Sequence, residues 1–84
     1  MPITDKELEL FKKIKKYLID LDIDLIYYWY EDTNKLFNGY YLFELVSLKN
    51  PTEILEVTPT LKEMIIFLKK EIPNIPIEGF MKNE

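Results

Sequence analysis

The spacing of apolar residues predicts a helix at the start of the chain. Up to about residue 20, apolar positions recur every three or four residues, which is typical of one face of an amphipathic helix. Thr4 and Glu7 precede this stripe with the spacing of a capping box. The stripe consists of Leu8, Phe11, Ile14 or Lys15, Leu18 and Leu21. We therefore expect a helix over about residues 5–20.

After Leu21 the apolar residues alternate with polar ones, which is the period of a β-strand. The run Ile26-Tyr27-Tyr28-Trp29-Tyr30 has the strongest β-propensity in the chain and predicts a strand over about 24–31. A second such run predicts a strand over about 40–47. We expect the two strands to pair as an antiparallel hairpin.

Two turn signals compete between these strands, so the register of the hairpin stays open. Residues 31–35 form a turn by composition, and Asn38-Gly39 is either a tight hairpin turn or a glycine bulge. Farther along, the segment 53–57 fits either a third strand or one helical turn. The strand is the interpretation we favour for that segment.

The last periodic segment predicts a second helix, over about 59–72. Thr60 and Glu63 repeat the capping-box spacing, and Pro59 fits the first helical turn. One face carries Leu61, Ile65, Leu68 and Ile72, with Met64 beside them. The prolines of the tail, 73–84, predict an extended segment, and its apolar residues indicate that it lies against the rest of the molecule.

Together these elements predict an α+β fold in a single domain, 1–84. Its order is an N-terminal helix, an antiparallel hairpin or three-stranded meander, a C-terminal helix and a short extended tail. No apolar run approaches the about 18 residues of a membrane span. The polar, charged N-terminal residues do not resemble a signal peptide.

Composition removes most catalytic chemistry. The chain contains neither cysteine nor histidine, so thiolate nucleophiles, disulfides and the commonest general base and metal ligand are excluded. The only serine, Ser47, has no histidine to activate it. We therefore predict no enzyme activity, no cofactor and no metal. The lack of cysteine favours a cytoplasmic location.

The acidic residues allow one metal-binding alternative. Asp20, Asp22, Asp24 and Glu31 have the spacing of oxygen ligands in an EF-hand calcium loop. The position that requires glycine is occupied by Leu25, and the following residues favour a strand over an exiting helix. We interpret the aspartates as a solvated acidic patch.

Aromatic density suggests a binding surface. Eight of the twelve aromatic residues lie between positions 27 and 43, and alternation gives both faces of the hairpin apolar or amphipathic side chains. A face that no helix covers would be an exposed patch of the kind that marks interaction sites. The alternative is that each helix covers one face, or that the tail folds back over the second. The predicted protein interface consists of Tyr28, Trp29, Tyr30, Tyr40, Leu42, Asp20, Asp22, Asp24, Glu31 and Asp32.

The leading hypothesis is a small acidic protein–protein interaction module. Its net charge of −4 suits a basic partner. In this hypothesis the chain is an inhibitor or adaptor, encoded by a phage or another mobile element, that acts on a host protein or nucleoprotein, for example as an anti-defence protein. One alternative is a homodimer that pairs through Tyr28, Tyr30, Tyr40 and Leu42. Another is a weak nucleic-acid binder using Lys12, Lys13, Lys15 and Lys16 with the tyrosines, although the chain has no arginine.

Overall fold

A computed structural model describes residues 3–31, 39–50 and 52–82, with side chains at all of these positions except 30, 31, 39 and 40. Three helices and three strands follow in the order α1, β1, β2, β3, α2, α3. Their bounds are α1 Asp5–Ile19, β1 Ile23–Glu31, β2 Gly39–Ser47, β3 Ile54–Thr58, α2 Leu61–Glu71 and α3 Ile77–Met81. The predicted α+β fold is confirmed, and so is the favoured third strand.

Helix α1 begins with the predicted capping box. The Thr4 hydroxyl accepts a hydrogen bond from the Glu7 amide, and the Glu7 carboxylate accepts one from the Thr4 amide, both at 3.1 Å. The helix ends at Ile19, and Asp22 then adopts a left-handed conformation with φ of 62°. Leu21 therefore leaves the helical spacing and is exposed, so its predicted place in the apolar stripe is wrong.

The strands form an antiparallel sheet in the order β1-β2-β3. Tyr30 pairs with Tyr40 and Glu31 with Gly39, which resolves the open register. Gly39 thus lies within β2 and is not the reversal of a tight hairpin, whereas Asn38 and residues 32–35 lie outside the described residues. A register shift beside Leu45 leaves Leu55 of β3 as the additional residue of a bulge.

Helix α2 is shorter than predicted at its start. Thr60 is its N-cap, so Pro59 precedes the helix and does not occupy its first turn. The Thr60 hydroxyl accepts a hydrogen bond from the Glu63 amide at 3.1 Å. Leu61, Met64 and Leu68 form the buried face.

The prediction that the whole tail is extended is wrong, because residues Ile77–Met81 form α3. The prediction that the tail packs against the molecule is confirmed. Ile75 and Ile77 belong to the buried core, and the rings of Phe80 and Tyr17 meet edge to face at 5.9 Å. The Lys13 ammonium also donates a hydrogen bond to the Phe80 carbonyl, at 3.0 Å. The helix begins directly after Pro76, its N-cap residue, so the prolines restrict only the backbone that precedes α3.

All three helices cover the same face of the sheet. The sheet residues in the core are Leu25, Phe43 and Leu45, which the register places on one face. The core residues of the helices and the tail pack against this face; they are Phe11, Ile14, Leu18, Leu61, Met64, Leu68, Ile75 and Ile77. The molecule is accordingly two layers thick, with a shortest dimension of 18 Å.

Candidate functional site

The opposite face of the sheet has no second layer among the described residues. Strand alternation and the two registers place eight described residues on this side. The carboxylate of one of them, Asp24, pairs with Lys15 of α1, and we group the other seven. We call this surface the open face; it consists of Ile26, Tyr28, Leu42, Glu44, Val46, Ile54 and Val57. None of its apolar members belongs to the core or packs against it. Ile54 is 55% exposed and Val57 41% exposed, so the apolar surface is accessible.

A carboxylate stands at the centre of the open face. Glu44 lies opposite Ile26 on β1 and Val57 on β3, and its neighbours along β2 on the same face are Leu42 and Val46. Apolar side chains therefore flank Glu44 on four sides, and they leave it half-buried. Within the described ranges, no side chain forms an ion pair or a hydrogen bond with this carboxylate.

The residues of the predicted interface lie in several parts of the structure. Tyr28 and Leu42 lie on the open face, and Tyr28 is exposed. Backbone pairing in the hairpin gives the positions of Tyr30, Glu31 and Tyr40, whose side chains are not among those that the structure describes. Asp32 lies outside the described residues altogether.

Trp29 belongs to the other face of the sheet, so it does not share a surface with Tyr28. Its ring meets Tyr41 edge to face at 5.1 Å. Tyr41, Tyr27 and Phe43 continue this aromatic row toward the core, with ring centroids 5.6 and 5.8 Å apart. Trp29 at the end of the row remains 43% exposed.

The three aspartates do not form one acidic cluster. Asp20 and Asp22 are exposed in the turn after α1, where the Asp22 carboxylate lies 3.8 Å from the Lys49 ammonium. Asp24 lies in β1 and pairs with Lys15 at 2.7 Å. Within the described part of the chain, no three acidic side chains gather closely enough to hold a metal ion.

Lys12, Lys13 and Lys16 of α1 lie on the helix layer, and Lys15 reaches the outer edge of β1. Lys12 and Lys16 are exposed, whereas Lys13 is bonded to the Phe80 carbonyl and Lys15 to Asp24. They do not form one surface with Tyr28 and Leu42, as base stacking beside a basic groove would require. The structure thus separates the two parts of the nucleic-acid alternative.

A groove, the Ser47 hydroxyl and the helices bear on ligand binding, catalysis and membrane insertion. A groove of about 300 Å³ lies between α1 and α3, lined mainly by Leu10, Phe80 and Met81 with charged side chains at its rim. The Ser47 hydroxyl accepts a hydrogen bond from the Asn50 amide at 3.2 Å, which is the role of a turn residue. None of the helices described is long and apolar enough to cross a membrane.

Comparison with known proteins found no matching family model, no matching curated protein and no matching solved structure.

Sequence reasoning missed five members of the open face, namely Ile26, Glu44, Val46, Ile54 and Val57. Glu44 interrupts an apolar run, which was the available signal, but its central position required the pairing of β2 with both neighbours. The positions of Ile54 and Val57 on the open face depend on the bulge, which sets the register of β3 and could not be predicted from the sequence.

Proposed function

We propose that this protein is an interaction module that binds another protein through the open face. The observation that carries the proposal is the apolar surface of the sheet that no described element covers. Small sheets are normally half-buried structures with one apolar and one polar face. An apolar second face, with an exposed tyrosine on it, has the composition of a protein interface.

Glu44 specifies the chemistry of the partner. Covering the open face would remove the Glu44 carboxylate from water, which is unfavourable unless an opposite charge meets it. The partner therefore presents a lysine or arginine surrounded by apolar side chains. The net charge of −4 also favours association with such a basic partner, because the two proteins carry potentials of opposite sign.

A second copy of the chain fits the open face less well. The described members of this face include a carboxylate and no lysine, so a symmetric pair would bury two carboxylates without a positive charge between them. We expect sedimentation to find a monomer at the concentrations used for binding. A dimer that dissociates in the variant Glu44→Lys would show that the open face binds a second copy of the chain, and it would contradict this proposal.

Affinity purification from a lysate of the source organism tests the proposal through matched variants. Glu44→Lys and Leu42→Lys place positive charge on the open face, whereas Glu71→Lys makes the same charge change as Glu44→Lys at the exposed end of α2. The wild type and Glu71→Lys should recover the same stoichiometric protein, and both open-face variants should lose it. Equal recovery by all four proteins, or no stoichiometric protein with the wild type, contradicts the proposal. Thermal unfolding establishes that each variant is folded.

The proposal also includes a cellular location and a role as an inhibitor. A cytoplasmic location is supported by the lack of cysteine, since extracellular domains of this size are often held by disulfides. A role as a phage-encoded or other mobile-element inhibitor of a host protein or nucleoprotein is one form that binding a basic partner would take. That role, and the absence of enzyme activity, stay predictions.

A further inference from the structure

The two free edges of the sheet differ in how their backbone groups are occupied. At the edge of β1, the Leu25 carbonyl accepts a hydrogen bond from the Lys15 ammonium at 2.9 Å. The Leu25 amide donates to Oδ1 of Asp24 at 2.8 Å. The Lys15 side chain therefore crosses this edge and obstructs another strand there, which is a common protection of edge strands.

The same two bonds fix the direction of the backbone groups in β3. Because both polar groups of Leu25 are bonded at the outer edge, they point away from β2, and Leu45 opposite Leu25 directs its own groups toward β3. Glu56, opposite Leu45, then faces β2, and the next residue, Val57, turns its amide and carbonyl outward. Within the described ranges no hydrogen bond reaches these outward groups.

A groove accompanies the edge of β3. It has a volume of about 340 Å³ and is lined by Glu56, Thr58, Glu63, Ile66, Phe67 and Lys70. These residues belong to β3 and α2 and none to β1 or β2, so the groove opens at the outer side of β3. Ile66, at 62% exposure, gives the groove an apolar wall. Neither glutamate has an ion-pair partner among the described residues.

We propose that β3 accepts an extended segment of a partner protein as a fourth strand, which presents both apolar and basic side chains on the side that faces the groove. The backbone of this segment pairs with the outward groups of Val57. On the groove side, one apolar side chain packs on Ile66, and a lysine or arginine meets Glu56 and Glu63. On the other side, its residues extend the open face beside Val57. The inference rests on the proposed function, and it adds the binding mode and the kind of partner segment.

Synthetic peptides provide the direct test, with the full chain labelled for NMR. The probe is a nine-residue peptide whose groove-side positions, every second residue, are alternately valine and lysine, with threonine at the positions between them. Two matched peptides accompany it: one with glutamate in place of lysine, and one with the same side chains but N-methylated on the residues that face β3. The valine–lysine peptide should shift the amide of Val57 and slow its hydrogen exchange, and it should bind at least about tenfold more tightly than either control.

Variants of the protein locate the charge recognition. Glu56→Gln with Glu63→Gln should weaken binding of the valine–lysine peptide by about tenfold, whereas Glu71→Gln should leave it unchanged. Shifts confined to β1, equal binding of the N-methylated peptide, or no shift at millimolar peptide would overturn the inference. Those results leave the proposed function standing if capture from lysate still depends on Glu44 and Leu42. If capture does not depend on Glu44 and Leu42 but the valine–lysine peptide still binds at Val57, the open face is not the binding surface and the edge of β3 is.

Discussion

The ammonium group of Lys15 lies 2.7 Å from Oδ1 of Asp24 and also donates a hydrogen bond to the backbone carbonyl of Leu25. A single side chain of α1 therefore holds the helix to the free edge of β1. The sequence alone places Lys15 among the lysines of the nucleic-acid alternative and Asp24 in the solvated acidic patch. The ion pair between Lys15 and Asp24 neutralises one lysine of α1 and one aspartate of the predicted acidic patch.

Removing this contact should lower stability moderately. Lys15→Met keeps most of the aliphatic chain and should lower the free energy of unfolding by about 1 kcal/mol, because the pair is only partly shielded from water. Lys12→Met, at an exposed position of the same helix, should change it by less than about 0.5 kcal/mol. Urea unfolding followed by circular dichroism measures both. Equal effects of the two variants would show that the Lys15 contact contributes nothing.

The left-handed backbone at Asp22 gives a prediction of the opposite sign. Asp22→Gly should raise the free energy of unfolding by about 0.5 kcal/mol, because glycine adopts the φ of 62° without steric cost. Asp22→Val should lower it by about 1–2 kcal/mol for the converse reason. Asp20→Gly is the control, since Asp20 has a right-handed φ of −66° and gains no relief. Stabilisation by Asp20→Gly as large as that by Asp22→Gly would contradict the argument.

The tail should behave as part of the core in unfolding experiments. Ile77 is buried, so Ile77→Ala should lower the free energy of unfolding by about 2–4 kcal/mol. Met81 in the same short helix is 60% exposed, and Met81→Ala should change it by less than about 0.5 kcal/mol. The comparison is made by thermal and urea unfolding. A small effect of Ile77→Ala would mean that α3 does not pack as described.

Glu78 provides a prediction about pH. The hydrogen bond from Lys69, at 2.7 Å, holds the pKa of the Glu78 carboxyl below its ordinary value of 4.5. A pKa lowered by folding stabilises the folded state above pH 4.5, and this contribution disappears as the pH falls through the lowered value. The contribution is small, because the pair is exposed and is screened by salt.

An NMR titration of the Glu78 side chain measures this pKa directly. It should lie below 4.5 in the wild type and return toward 4.5 in Lys69→Met. Lys70→Met changes the charge equally next to Lys69, and it should leave most of the shift in place. An unshifted pKa in the wild type would contradict the contact between Lys69 and Glu78.

The interface prediction shows where sequence reasoning stops. Strand alternation puts the neighbouring residues Tyr28 and Trp29 on opposite faces, yet the candidate interface included both. Nothing in the sequence indicates which face the helices cover, because the hairpin is apolar or amphipathic on both sides. The core position of Leu25 and the exclusion of Leu42 from the core decide that question. The central position of Glu44 among apolar side chains follows only from the pairing of β2 with β1 and β3.

The sequence alone determined the types and order of the main elements, because capping residues, hydrophobic period and β-propensity act over a few neighbouring positions. It determined that Thr4 starts a helix and that residues 24–31 form a strand. Only the tertiary structure decided that all three helices cover one side of the sheet, that the tail forms α3, and that Lys15 closes one edge. These features depend on contacts between residues distant along the chain, and local patterns carry no information about which apolar surfaces meet.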